Sequence, residues 1–174
     1  RSLLSRISHA KNRMESAADI RENSHGFGDD QLAAVYELYL KTLRTSGALD
    51  FDDLLLKAVT LFETSENARE RYANRFRYVM IDEYQDTNRP QYMLIRLLTD
   101  QHRNLCVVGD PDQSIYKWRG ADLRNILDFE EDYPETKVVR LERNYRSTQV
   151  ILDAATNVIS RNRQRKEKVL RAER

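Results

Sequence analysis

Apolar positions along the first 75 residues of the chain follow a helical period. They recur three and four residues apart over residues 3–14 and again over residues 32–43. A polar stretch with two glycines, Glu22–Asp30, lies between these patterns and predicts a loop. Asp50 is the predicted N-cap of a third helix, and a fourth, short helix is predicted over Ser65–Asn74. The first part of the chain is therefore predicted to be all-helical.

The pattern changes near residue 76, where short apolar runs begin to alternate with helical periodicity. Strands are predicted at Tyr78–Ile81, Leu105–Val108 and Lys137–Leu141, and helices at Arg89–Leu98, Leu123–Phe129 and Thr148–Arg161. Strands that alternate with helices form a parallel sheet with helices on its faces. The predicted fold class is α/β, with a partial parallel sheet flanked by helices and preceded by an all-helical segment.

Composition narrows the class of protein. The chain has 174 residues, of which 40% are hydrophobic and 33% charged, a balance typical of a globular protein. Its single cysteine, Cys106, excludes an internal disulfide and favours a reducing compartment, and its position in an apolar run predicts a buried thiol. No apolar run approaches the length of a transmembrane helix. We therefore expect a cytoplasmic protein without a membrane partner.

Polar stretches follow the first two predicted strands. Residues 78–88 read YVMIDEYQDTN, and residues 104–121 read NLCVVGDPDQSIYKWRGA. Polar residues at the carboxyl ends of parallel strands are how an open sheet presents a nucleotide site. Asp82 suits a Mg²⁺-bound nucleotide, and Glu83 can polarise a water molecule. The alternative is that both acids only cap the following turn or helix.

The second stretch adds an amide and an aromatic-basic run. The Gln113 amide can accept a hydrogen bond from water and donate one to a phosphate oxygen, although an exposed loop amide is the simpler interpretation. Tyr116, Trp118 and Arg119 can hold a nucleic-acid base by stacking, whichever base it is. The alternative for Trp118 is a place in the core, where tryptophan is usually well buried.

These stretches closely resemble the ATPase and coupling motifs of the UvrD/Rep-type superfamily 1 DNA helicases. Residues 49–54, LDFDDL, and residues 141–148, LERNYRST, resemble two further motifs in the family's order, so the matching blocks reach from about Leu49 to about Leu170. The resemblance implies a RecA-like sheet. It also implies three parts: a partial helical insert (1–75), the second half of a first motor domain (76–141) and the start of a second motor domain (142–174).

The resemblance also implies ligands and residue roles. ATP and Mg²⁺ would be the cofactors, and single-stranded DNA and duplex junctions the partners. Asp82 would hold Mg²⁺, Glu83 would activate the attacking water, and Gln113 would sense the γ-phosphate. Tyr145 would stack on the adenine, and Arg146 would reach the γ-phosphate from the second motor domain. The competing interpretation of Arg146 is a structural pair with a carboxylate.

One motif of such motors does not occur in this sequence. No segment of the form G-x-x-x-x-G-K-[ST] is present, although this loop supplies the backbone cradle and the lysine for the phosphates. We therefore expect an internal fragment of an ATP-dependent 3′-to-5′ DNA helicase that is inactive by itself. The alternatives are a nuclease-associated helicase subunit and a DNA-binding scaffold that does not hydrolyse ATP.

Overall fold

The first part of the chain is helical, as predicted. A computed structural model describes residues 2–162, 166 and 168–173. Its first five helices are α1 (Leu3–Lys11), α2 (Ala17–Glu22), α3 (Phe27–Thr45), α4 (Phe51–Thr64) and α5 (Glu66–Arg75). The predicted loop is shorter than expected, because α2 and α3 each extend into its ends.

Side-chain caps explain where these helices begin. The Asp50 carboxylate accepts from the Asp53 N–H at 2.8 Å, and the Asp53 side chain accepts in return from the Asp50 N–H. This reciprocal capping box satisfies amides that a helix start leaves without partners. Ser65 caps α5 through the Ala68 N–H, so both predicted starts are confirmed.

A buried charged cluster joins the first helix to the fourth. Lys11 is 1% exposed, and its ammonium lies 2.7 Å from both Asp50 Oδ2 and Asp53 Oδ1. Tyr39 of α3 also donates to Asp50, at 2.9 Å. Beside this cluster, α1, α2 and α3 share an apolar core that includes Ile7. The helical segment is therefore held by packing and by one buried cation.

The second part alternates strands and helices. It contains β1 (Val79–Ile81), α6 (Arg89–Thr99), β2 (Leu105–Val107), α7 (Arg124–Leu127) and α8 (Phe129–Asp132). The two strands are parallel and adjacent, with Met80 opposite Cys106, as expected for strands separated by a helix. One face of this sheet packs on a core that includes Tyr84, Ile95 and Phe129. The α/β fold class is confirmed.

The last part forms a second small parallel sheet. Its strands are β3 (Arg143–Asn144) and β4 (Arg171–Ala172), and the helix α9 (Gln149–Ile159) lies between them in the chain. The predicted strand at Lys137–Leu141 is wrong: this segment has no strand partner among the described residues, and Val139 and Leu141 are 68% and 76% exposed. A strand exists only where a neighbour accepts and donates its backbone hydrogen bonds.

The other face of the first sheet corrects the prediction for Cys106. The thiol is exposed, and so is Met80 beside it, at 72%. Nothing in the described part of the chain covers this face.

No helix in the described part of the chain combines the length and the apolar character that crossing a bilayer requires.

Candidate functional site

The two polar stretches leave neighbouring parallel strands at one edge of the sheet. Asp82 follows β1 directly, and the loop that carries Gln113 follows β2. Beyond the strands, the Val108 N–H donates to the Ile81 carbonyl at 2.8 Å, and the Tyr84 N–H donates to the Val108 carbonyl at 3.0 Å. These bonds hold the two loops side by side, so the predicted common edge is confirmed.

Glu83 forms part of the turn that follows β1. Its backbone is left-handed, with φ 51° and ψ 40°, a conformation that costs free energy in any residue with a Cβ. Its N–H donates to Asp82 Oδ1 at 2.9 Å, and its Oε2 accepts from Gln85 Nε2 at 2.7 Å. Both Asp82 and Glu83 are exposed. The turn thus presents two neighbouring carboxylates to solvent.

Gln85 joins the loop after β1, residues 82–87, which we call the acidic loop, to the loop after β2. It is only 1% exposed, and its Oε1 accepts from the Asp110 N–H at 2.9 Å while its Nε2 holds Glu83. Gly109 makes this possible, because a Cβ there would lie 2.6 Å from Gln85 Oε1. The role of Gln85 is not predictable from the sequence, since an amide in a polar stretch gives no sign that it is buried.

Gln113 is exposed at the end of a 3-10 turn, Pro111–Gln113, and its Nε2 donates to Asp110 Oδ2 at 2.7 Å. Asp110 also pairs with the ammonium of Lys168, which precedes β4. Burial alone would raise the pKa of Asp110, but the hydrogen bonds from Lys168 and Gln113 hold it below its usual range. Nothing in the sequence distinguishes Lys168 from the other basic residues of its run, so this contact is not predictable from the sequence.

The aromatic-basic run is a surface feature. Trp118 is 62% and Tyr116 37% exposed, so Trp118 is not a core residue of this chain. Their ring centroids are 6.3 Å apart. The Arg119 guanidinium carbon lies 4.7 Å from the centroid of the Trp118 ring and 5.4 Å from that of Tyr116. The run thus forms a cluster of two rings and one cation, which we call the aromatic-basic cluster (Tyr116, Trp118, Arg119).

Tyr145 and Arg146 lie in a different place. They follow β3 of the second sheet, and both are exposed. The Asn144 side chain shapes their turn by accepting from the Arg146 N–H at 2.9 Å and from the Ser147 N–H at 2.8 Å. Within the described residues, no hydrogen bond or ion pair joins either residue to the edge that carries Asp82. Lys168 and Lys166 provide contacts between the two parts, through Asp110 and Glu130 respectively.

The chemistry of the edge fits a magnesium-bound phosphate. In the described ranges, no group of three or more histidine, cysteine or acidic side chains forms a preassembled metal site. Mg²⁺ is commonly held by only one or two carboxylates together with water and phosphate oxygens. The exposed Asp82 can supply such a carboxylate. Burial, together with the charge of Glu83, raises the pKa of nearby Asp86 above its usual range.

Comparisons with known proteins identify sequences similar to this chain. A family model described as the UvrD/REP helicase N-terminal domain matches residues 1–134, which include both the helical segment and the first sheet. The chain is 50% identical over 170 residues to the ATP-dependent DNA helicase PcrA of Staphylococcus epidermidis, and 49% identical to that of Staphylococcus aureus. These alignments cover 98% of the chain but 23% of each relative, so the chain spans about a quarter of their length.

Proposed function

This chain belongs to the UvrD/REP helicase N-terminal domain family, and from that premise we propose that it is part of an ATP-dependent DNA helicase with the length of its relatives. Below, this longer molecule is called the full-length protein. One observation carries the proposal: hydrogen bonds link Glu83 through Gln85 to Asp110, so the acidic loop and the loop bearing the aromatic-basic cluster are one structural unit.

The exposed carboxylates have distinct roles in the proposal. Asp82 would hold Mg²⁺, which when bound bridges and neutralises nucleotide phosphates. Glu83 would orient and deprotonate the attacking water, because its Oε2 is already held in place by Gln85. Gln113 would contact the γ-phosphate; its amide has only to exchange Asp110 for a phosphate oxygen.

Tyr145 and Arg146 complete the proposed nucleotide site from the second sheet. Tyr145, 69% exposed, offers a free ring face on which an adenine can stack. The planar Arg146 guanidinium suits a phosphate with two parallel hydrogen bonds. Their position on the second sheet supports a site between two motor domains, with the pair of Lys168 and Asp110 as one contact between the two parts.

The proposed track is single-stranded DNA. Tyr116 and Trp118 expose ring faces to which any base can stack, and Arg119 adds a positive charge beside them. A motor that moves along DNA requires such grips to be independent of sequence. The 3′-to-5′ direction and action at duplex junctions are carried over from the family resemblance. Since cellular DNA is the proposed substrate, the proposed compartment is the cytoplasm.

ATP hydrolysis by the full-length protein, with and without single-stranded DNA, tests the proposal. Glu83→Gln should abolish DNA-stimulated hydrolysis, whereas Glu131→Gln, at an exposed position of α8, should not. The chain alone should show negligible hydrolysis, since its sequence has no phosphate-binding loop and electrostatic positioning supplies nearly all catalysis of phosphoryl transfer. DNA binding without hydrolysis in the full-length protein would instead favour a scaffold.

A further inference from the structure

Asn12, in the helical segment, lies at the meeting point of three parts of the molecule. It is the C-cap residue of α1 and is 8% exposed. Its Nδ2 donates to the Ser8 carbonyl at 2.7 Å and to Asp52 Oδ1 at 3.1 Å. Its Oδ1 accepts from Asn88 Nδ2 at 2.5 Å. Both ends of this buried amide are thus engaged, and its orientation is fixed.

The Asn88 contact leads to the acidic loop. Asn88 directly follows that loop and caps α6: its Oδ1 accepts from the Gln91 N–H at 3.0 Å, and the Gln91 side chain accepts from the Asn88 N–H at 3.0 Å. Since the cap uses the Asn88 oxygen, only the Asn88 nitrogen remains to donate to Asn12. This hydrogen bond joins the end of α1 to the start of α6, in addition to the packing of α4 and α5 against α6.

A second contact of Asn12 leads to the aromatic-basic cluster. Gly120 directly follows that cluster and has φ +89°, and a Cβ there would lie 2.7 Å from Asn12 Cβ. The chain beyond Gly120 then returns to the acidic loop, because the Asp122 N–H donates to the Thr87 carbonyl at 3.0 Å and Asn125 Nδ2 donates to Thr87 Oγ1 at 3.0 Å. Thr87 is next to Asn88, and Asp122 is two residues after Gly120. The two loops are thus bonded to each other close to the two residues that contact Asn12.

We propose that Asn12 is a positioning residue that couples DNA contact at the aromatic-basic cluster to ATP hydrolysis at the acidic loop. The inference rests on the proposed function and adds to it a residue outside both loops. Energetic coupling between sites is carried by packed side chains and hydrogen-bond networks. Here the Asn12 side chain packs closely against Gly120 and accepts a hydrogen bond from Asn88. A displacement of one loop is therefore transmitted to the other through this buried side chain.

The test measures ATP hydrolysis by the full-length protein with and without single-stranded oligonucleotide, together with oligonucleotide affinity and thermal unfolding. In Asn12→Ala, stimulation by DNA should fall at least about fivefold, the lower end of typical coupling factors, while DNA-independent hydrolysis and affinity stay unchanged. Asn23→Ala is the matched control, because Asn23 also follows a helix end and bonds a backbone carbonyl but is exposed.

Asn88→Asp gives an independent test at nearly constant volume. Aspartate keeps the oxygen that caps α6 but cannot donate to Asn12, so it should lose stimulation as Asn12→Ala does, and it decides the matter if Asn12→Ala does not fold. Full stimulation in a folded variant, or a loss of basal and stimulated rates together in step with stability, would overturn the inference. A wild-type protein that hydrolyses no ATP would instead overturn the proposed function.

Discussion

At the scale of single residues, the space around Gly109 determines what the sheet edge tolerates. In Gly109→Ala, the new methyl group would lie 2.6 Å from Gln85 Oε1 and 2.8 Å from Ile126 Cδ1. Both neighbours are packed, so we expect a loss of about 1–3 kcal/mol in the free energy of unfolding, the usual result of overpacking. Urea denaturation of the chain measures this.

Gly28→Ala is the control for Gly109→Ala. Gly28 lies in α3, where an added Cβ meets nothing within 4 Å. Alanine there should be neutral or stabilise the chain by about 0.4–1 kcal/mol, since it restricts the unfolded state. Equal stabilities for the two variants would show that the contact between Gly109 and Gln85 is looser than the structure has it.

A substitution at Trp118 tests the proposed stacking of a DNA base on its ring. Trp118→Ala in the full-length protein should weaken single-strand binding by about 1–3 kcal/mol, the range for one lost stack, and similarly for different sequences. Fluorescence anisotropy at several salt concentrations measures this, and the salt slope should barely change because no phosphate contact is lost. Because Trp118 is 62% exposed, the melting temperature should change little.

Lys117→Ala is the control for Trp118→Ala. It removes a positive charge from the same turn and should reduce the salt slope if Lys117 contacts the DNA backbone. Unchanged affinity in a folded Trp118→Ala protein would end the stacking hypothesis.

At the scale of elements, the buried Lys11 ammonium ties α1 to the start of α4 and makes this joint sensitive to acid. Burial alone would raise the pKa of Asp50, but hydrogen bonds from Lys11, Asp53 and Tyr39 hold it below its ordinary value of 3.8. The unfolded chain therefore takes up this proton first as pH falls. The stabilisation is complete above about pH 4 and is lost as pH falls through the depressed pKa.

Asp50→Asn tests this joint, because asparagine still caps α4 but carries no charge. At neutral pH the variant should lose about 1.5–3 kcal/mol, as for a hydrogen bond to a charged group, and its stability should depend less steeply on pH below about 4. Urea denaturation from neutral to acid pH measures both. Asp30→Asn, an exposed acid in the first turn of α3, should do neither, and parallel pH curves for Asp50→Asn and wild type would refute the linkage.

Sequence periodicity predicted these elements well where the signal is local. The Asp50 cap is where the pattern placed it, and the helix predicted from Ser65 and the two parallel strands begin within one residue of their predicted starts. Lys137–Leu141 has the composition of a strand, but no partner for it lies in the described part of the chain, and composition cannot reveal a missing neighbour. The sequence likewise placed Asp82 and Gln113 at one edge, but not the Gln85 and Asn12 bonds, since these join residues far apart along the chain.

At the scale of the whole molecule, the described residues leave one face of the first sheet bare. Met80 and Cys106 lie side by side on it, whereas parallel sheets are normally covered on both faces. The chain spans about a quarter of the length of its helicase relatives, so we propose that other parts of the full-length protein cover this face. The same explanation holds for the exposed apolar segment that includes Val139 and Leu141.

The reaction rate of the Cys106 thiol measures whether this face is covered. In the chain alone it should react with a thiol reagent almost as fast as in urea, because it is exposed on the bare face. In the full-length protein with its other cysteines replaced, the reaction should be strongly slowed. Cys106→Ser sets the background. Equal rates in the two proteins would mean that the face stays open.

Glu83 has a consequence for how this protein can change. Its left-handed backbone favours glycine or asparagine over glutamate, so glutamate carries a conformational cost at this position. The carboxylate that carries this cost is the acceptor of the buried Gln85 amide and the group that the proposed chemistry requires. A relative with glycine or asparagine at this position would avoid the backbone cost but would leave the Gln85 amide without its acceptor and would lack the carboxylate of the proposed chemistry. Such a relative is expected to bind DNA without hydrolysing ATP.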